Sequence, residues 1–285
     1  MPTRVAFLGP AGTYGEQAAR ELITLERLEK PELIACGGLR AVMDQLAQGH
    51  CDDAVVPVEN SVEGGVTAIH DALWAHRELC IRRALVLPIR HALLSSGVIT
   101  GITEVLSHPQ ALAQCAGWLA THLPEALQLP TSSTAEAARM VVGSRFRAAI
   151  ASQAAGVDHG LTQLAYPIND VVGNRTRFLL LERGEPAKEG KVASLAFSLH
   201  RNAPGALLEA LACVADQGLN MSRIESRPSK RELGEYVFFL DVELNGAAPG
   251  ALGALTQRLE PLCGRLANFG AYPSSELKIA ELSSG

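Results

Sequence analysis

Over residues 1–182, short apolar runs alternate with amphipathic stretches. Arg4–Gly9, Glu32–Cys36 and Asp53–Val58 read as strands, and Gly15–Glu29 and Leu39–Gln48 as the helices between them. This βαβαβ rhythm predicts a parallel sheet with helices on its faces. A helix is expected at Val66–Trp74, after a polar turn. A second unit repeats the rhythm: strand Ile102–Ser107, helix Pro109–Thr121, strand Leu127–Leu129, helix Ala135–Val142 and strand Arg147–Ala151. Val171–Leu181 closes it with the apolar run Phe178–Leu181. Leu79–Ser95, β-rich and lying between the units, is the expected crossover between two lobes.

Gly184–Lys191 is polar, contains Gly and Pro and has no period, so it is expected to be a linker. Beyond it the pattern is strand Ala193–His200, helix Pro204–Gln217, strands Leu219–Ser226 and Tyr236–Leu244, helix Pro249–Leu262 and strand Arg265–Tyr272. Pro204 in the first helical turn and Gly218 just past the end have the usual asymmetry of helix termini. The order βαββαβ is a ferredoxin-like split βαβ. The predicted division is therefore an α/β domain at 1–183, a linker at 184–191, an α+β domain at 192–273 and a tail at 274–285. The α/β lobes are expected at 1–78 plus 176–183, and at 79–175.

The chain of 285 residues is 47% hydrophobic and 19% charged, enough apolar content for a sizeable core. A net charge of −5 without a basic stripe argues against nucleic acid as a partner. No run approaches the roughly 18 apolar residues of a membrane span, and no signal peptide is evident, so a cytoplasmic location is expected. The six cysteines (Cys36, Cys51, Cys80, Cys115, Cys213 and Cys263) are scattered without a CxxC, as reduced core thiols would be. No metal-ligand spacing occurs, and neither a G-x-G-x-x-G nor a Walker sequence, so no metal or cofactor is expected.

Polar turns follow several strands. Gly9–Tyr14 is either a plain turn or a place where backbone approaches an anion at a helix N-terminus. Pro57–Gly65 holds Asn60 and Ser61, which are either helix caps or ligands at the C-terminal end of a parallel strand. Ser107-His108-Pro109-Gln110 and Ser132–Glu136 repeat the arrangement, with a possible capping box from Ser133 to Glu136. In Asn174–Phe178, strand alternation puts Thr176 and Phe178 on one face and Arg175 and Arg177 on the other. Convergent helix N-termini around a cleft would suit a small polycarboxylate.

The stretches Gly9–Tyr14, Pro57–Gly65, Ser107–Cys115, Ser133–Ala138, Ala148–Ser152 and Asn174–Phe178, with Gly205–Leu207 and Glu225–Pro228, together resemble prephenate dehydratases that carry a C-terminal ACT regulatory domain. The resemblance covers essentially the whole chain. Gly15 departs from it, because the family usually has Ser there. The first strand is read from Arg4, without a helical stretch ahead of it, so a form not fused to chorismate mutase is expected. The resemblance implies a two-lobed domain similar in outline to type II periplasmic binding proteins. It also implies conversion of prephenate to phenylpyruvate, carbon dioxide and water in phenylalanine biosynthesis, without a cofactor. Arogenate dehydratase is the alternative, and a non-catalytic binding module a more distant one. Thr176 would donate a hydrogen bond to the departing hydroxyl, while Thr13, Asn60, Ser61, Ser107 and Gln114 would position substrate. In the C-terminal domain L-phenylalanine would act as inhibitor. Gly205, Ala206 and Leu207 sit there at a helix N-terminus, and Asn220, Glu225 and Ser226 supply acceptors for an ammonium group. A homodimer or a tetramer is expected, because a βαββαβ layer leaves an edge to cover.

Overall fold

The computed structural model describes residues 2–277. In chain order its elements are β1 (Thr3–Leu8), α1 (Tyr14–Glu26), β2 (Pro31–Cys36), α2 (Leu39–Ala47), β3 (Asp53–Asn60), β4 (Gly64–Gly65), α3 (Thr67–Ala75), β5 (Leu79–Pro88) and β6 (Ala92–Ser95). There follow β7 (Glu104–Ser107), α4 (Pro109–Gln114), α5 (Ala116–His122), β8 (Leu127–Pro130), α6 (Thr134–Met140), β9 (Arg147–Ala151), α7 (Gln153–Asp158), β10 (Thr162–Ala165) and β11 (Arg175–Arg183). The C-terminal domain has β12 (Val192–Leu199), α8 (Ala206–Asp216), β13 (Asn220–Pro228), β14 (Tyr236–Glu243), α9 (Ala251–Leu259) and β15 (Cys263–Tyr272), and is followed by β16 (Ser274–Glu276).

The first lobe is a sheet in the order β16-β5-β11-β3-β1-β2, with β4 added to β3; the second is β10-β6-β9-β7-β8. Pairs β1–β2, β1–β3, β7–β8 and β7–β9 are parallel, as a βαβ rhythm requires. β11 returns antiparallel between β3 and β5. The lobe boundary expected at residue 79 therefore falls later. β5 belongs to the first lobe, where Leu85 and Leu87 join Ala18, Ala19 and Leu22 of α1 in one core, and β6 is the first strand of the second lobe. Residues 274–276 are not a free tail either: β16 pairs in parallel with β5, and Glu276 meets Arg175 at 3.2 Å. Residues 278–285 of the expected tail lie outside the described residues.

The helix expected over Pro109–Thr121 is two helices, broken at Cys115. The Asp170 carboxylate accepts from the backbone N–H of Gly117 and of Trp118, both at 2.8 Å, and so caps α5 from 53 residues away. The Asp170 N–H in turn donates to the Gln114 carbonyl at 2.8 Å, anchoring the end of α4. α7 and β10 escape the sequence pattern because elements of six and four residues carry too little periodicity.

The C-terminal sheet runs β13-β14-β12-β15, the ferredoxin-like order, with α8 and α9 on one face. Its other face is not solvated. Val237, Phe239, Phe269 and Tyr272 form one core with Val58, Ile69, Leu73, Ile81 and Leu179 of the first lobe. Gly184–Lys191 is stitched down as well, with the Ala271 N–H donating to the Ala187 carbonyl at 2.7 Å. All six cysteines are buried and free. No helix among the described residues is long and apolar enough to cross a membrane.

Candidate functional site

Two chain segments cross between the lobes, at 89–91 and 168–174, and they are tied to each other. Ile89 N–H donates to the Asn174 carbonyl at 2.8 Å, Ile168 N–H to the His91 carbonyl at 3.0 Å, and His91 N–H to Asn169 Oδ1 at 2.7 Å. The candidate site lies where these segments meet the end of β3 and the start of β11.

Asn60 closes β3 directly opposite Thr176 in the β3–β11 register. Its Oδ1 accepts from the backbone N–H of Val62 at 2.9 Å and of Glu63 at 3.1 Å. A backbone N–H can only donate, so this end of the carboxamide is fixed as oxygen. Asn60 Nδ2 then donates to Asn174 Oδ1 and to Thr176 Oγ1, each at 2.9 Å. Asn174 Nδ2 donates at 2.9 Å to Gln114 Oε1, which reaches in from the second lobe. All four side chains are buried. Thr176 Oγ1 is an acceptor in its hydrogen bond, the one it makes among the described residues. The hydroxyl proton is therefore left to donate elsewhere.

The opposite faces of the same two strands carry charge. Arg177 reaches Asp241 of β14 at 2.6 Å and Glu59 at 3.2 Å. Arg223 of β13 lies 3.6 Å from Glu59, pairs with Glu225, and donates to His70 Nε2 at 2.8 Å. That bond needs a lone pair on Nε2, so His70 is neutral, with its Nδ1 3.0 Å from the Val66 carbonyl. Burial foremost, with the Arg223 charge beside it, lowers the His70 pKa to about 4.

A family model of prephenate dehydratase matches residues 5–186. A prephenate dehydratase of Amycolatopsis methanolica is 38% identical over 264 residues, spanning 90% of this chain and 85% of that protein. A bifunctional chorismate mutase/prephenate dehydratase of Neisseria gonorrhoeae is 38% identical across 97% of this chain and 76% of its own length. The crystal structure of an Arthrobacter aurescens prephenate dehydratase in complex with L-Phe superposes with a TM-score of 0.85 at 32% identity, covering 95% of this chain and 90% of that one. The chain belongs to the prephenate dehydratase family.

Against the residues expected from the family motifs, the structure brings Asn60, Gln114 and Thr176 together, with Ser61 beside them. Ser61 Oγ accepts from the Arg175 N–H at 3.0 Å and holds the start of β11. Thr13 and Ser107 use their hydroxyls on the backbone. Thr13 Oγ1 donates toward the Pro10 and Leu8 carbonyls, 2.9 and 3.1 Å away, and caps α1 by accepting from Glu16 N–H at 3.3 Å. Ser107 Oγ is fully buried and donates to the Ile150 carbonyl at 2.6 Å. The Gly9–Tyr14 turn also fills itself, because Glu16 Oε2 accepts from Gly12 N–H at 2.7 Å. Gly15, where the family usually has Ser, is forced by space: a β-carbon there would come within 2.6 Å of the Leu8 carbonyl oxygen. Ser133 is the cap of α6, accepting from Glu136 N–H at 3.0 Å. Asn174 is absent from the expected set, although it stands two residues before Thr176 and alternation puts it on the same face. His91 carried no signal in the sequence.

The expected effector residues separate into three places. Gly205 caps α8 at φ +86°, a conformation that favours glycine, and Ala206 and Leu207 line a cavity of about 400 Å³ with Trp74, Asn202, Tyr236 and Phe238. Asn220 and Ser226 are exposed on the edge strand β13, roughly 20 Å apart at strand rise. Glu225 does not belong with them: alternation turns it to the face packed on the first lobe, against Arg223, His70 and the backbone of Gly65.

Proposed function

We propose that the chain converts prephenate to phenylpyruvate, carbon dioxide and water at the Asn60–Asn174–Thr176 cluster. The bond from the ring to its carboxylate breaks, and its electron pair enters the ring. The ring C–O bond breaks in the same sense, and the oxygen leaves with its own pair as the ring becomes aromatic. A threonine hydroxyl is a weak acid, so Thr176 keeps its proton in the ground state. Its hydrogen bond to the departing oxygen strengthens as negative charge develops, proton transfer completes the water, and the threonine oxygen regains a proton from solvent before the next turnover. The observation that carries this reading is the polarity at Thr176: Asn60 donates to its oxygen and thereby frees its proton to donate. Gln114, Asn60 and Ser61 flank the same point and position the substrate. Thr13 and Ser107 act indirectly, by holding the turns around it.

Purified protein supplied with prephenate should release phenylpyruvate, with arogenate run in parallel to assign the side-chain preference. Thr176→Ala should lower kcat by about 10²–10⁴-fold with little change in unfolding temperature, and Thr176→Ser should retain more activity. Turnover by Thr176→Ala within a few-fold of the parent rules out this assignment.

We propose further that the C-terminal domain is an ACT domain that binds L-phenylalanine as a feedback inhibitor between two copies of the chain. Supporting this, β13 is an edge strand whose outward residues Ser222, Ile224 and Ser226 are exposed. Antiparallel pairing of two β13 strands about a two-fold axis sets Asn220 of one copy beside the Ser226 end of the other, next to the cavity lined by Ala206 and Leu207. The split effector set is reunited by a homodimer, on which a tetramer can be built.

A further inference from the structure

We propose that His91 is a positioning residue for the dehydration: as the Nε2–H tautomer it donates to Gln114 Oε1 and locks the far end of the carboxamide relay that keeps the Thr176 hydroxyl turned outward as a donor. This rests on the reading of Thr176 given above.

The direction of the relay propagates from one end. Val62 and Glu63 N–H fix Asn60 Oδ1, so Asn60 presents N–H to Asn174, Asn174 presents N–H to Gln114, and Gln114 presents oxygen to both Asn174 and His91. The His91 Nε2 atom, 3.1 Å from that oxygen, must therefore carry hydrogen. The backbone of His91 is tied to Ile168 and Asn169 where the two segments cross. Its ring is 3% exposed and stands edge-on to Tyr14, centroids 5.7 Å apart. Tyr14 donates to the Arg90 carbonyl at 2.6 Å, so it holds the same segment.

Nδ1 of His91 has no hydrogen-bond partner among the described residues. A neutral ring leaves only a bare lone pair there. A charged ring would bury an unpaired N–H together with its charge, which costs far more. Burial lowers the pKa of His91, the Gln114 bond opposing it, and the ring stays a neutral donor at neutral pH.

Without this donor, the Gln114 carboxamide keeps Asn174 at Oε1 and only the long 3.4 Å bond from Nε2 to Glu63 at its other end. Rotating it would oppose N–H to the N–H of Asn174, and Asn174 cannot rotate in turn, because Asn60 is pinned by two backbone amides. The direction of the relay is set at Asn60, and Gln114 Nε2 donates to Glu63 Oε1 at 3.4 Å, so what the His91 bond adds is a second, shorter tether that holds the Gln114 oxygen in place. His91 holds the end that connects the second lobe to the catalytic threonine.

The test is a set of His91 variants on the full chain. His91→Leu should lower kcat about 10–100-fold, the scale of a displaced reacting group, with KM changed less than about threefold. His91→Gln, which can return an N–H near the Nε2 position, should recover most of kcat. In a Thr176→Ala background, His91→Leu should have almost no further effect, because its action passes through Thr176. Imidazole ¹⁵N NMR should show a protonated Nε2 and an unprotonated Nδ1. An equal loss from His91→Leu in both backgrounds, no recovery by His91→Gln, or an Nδ1–H tautomer overturns the proposal. Loss at Thr176→Ala with none at His91→Leu rejects only the role of His91, whereas full activity of Thr176→Ala rejects the underlying reading.

Discussion

Adjacent residues on β3 and β11 serve opposite kinds of electrostatics. Asn60 and Thr176 face the cleft and belong to a buried network of neutral amides and a hydroxyl. Glu59 and Arg177, one residue away on each strand, face the C-terminal domain and belong to a network of ions. The amides and the hydroxyl carry no charge of their own, and the carboxylate of Glu63 touches them only at the edge, through Gln114 Nε2 at 3.4 Å. The ionic face has a different task. Arg177, Arg223 and Asp241 are largely withdrawn from water, so they hold the C-terminal sheet in one register on the first lobe, because a shift strands a buried charge. Strand alternation places the two networks back to back on β3 and β11.

The contrast is broken most severely at Arg177. Arg177→Met should destabilise the fold by about 3–5 kcal/mol, because Asp241 is left buried with Ser194 and a more distant Arg223. Pairing it with Asp241→Leu should restore part of that stability in denaturant titration. No loss from the single variant would mean that the ion pair does not hold the domains together. The next effect separates the two faces of β13. Asn220→Ala should weaken phenylalanine inhibition by about tenfold, on the scale of a typical coupling between sites, and leave turnover without phenylalanine unchanged. Glu225→Gln should lower the unfolding temperature and leave phenylalanine affinity within about threefold. Equal effects on affinity would return Glu225 to the effector site. The smallest effect is a slope with pH. His70 has a folded pKa of about 4, below its unfolded value, so the unfolded chain binds the extra proton and stability falls as pH drops from about 6.5 towards 4. His70→Asn should flatten that part of the profile of unfolding temperature against pH.

Much of the scaffold was legible in the chain. The change from one βαβ rhythm to a βαββαβ order, the turn at Gly184–Lys191, and the facing of Thr176 away from Arg177 all follow from periods of two and 3.6 residues. Asn174 was legible by the same rule and needed only the step from Thr176 back by two. Lobe membership of Leu79–Pro88 was not legible, because an apolar strand fits either sheet and the choice is made by α1 and β11. The break at Cys115 was hidden too, since its cause is a carboxylate at Asp170.

What the sequence by itself determined is local geometry: which residues are strand or helix, which side of β11 a given side chain takes, and a set of motifs specific enough to name a family. The tertiary structure alone decided the hydrogen-bond partners and their direction. Asn60 meets Asn174 and Thr176 across 114 and 116 residues, and Gln114 meets Asn174 across 60. It also decided that Glu225 serves the domain contact and that Thr13 and Ser107 serve the backbone. The physical reason is range. Backbone sterics and side-chain period act over a few residues and are written in order along the chain, whereas a donor is fixed only when folding brings an acceptor within about 3 Å of it.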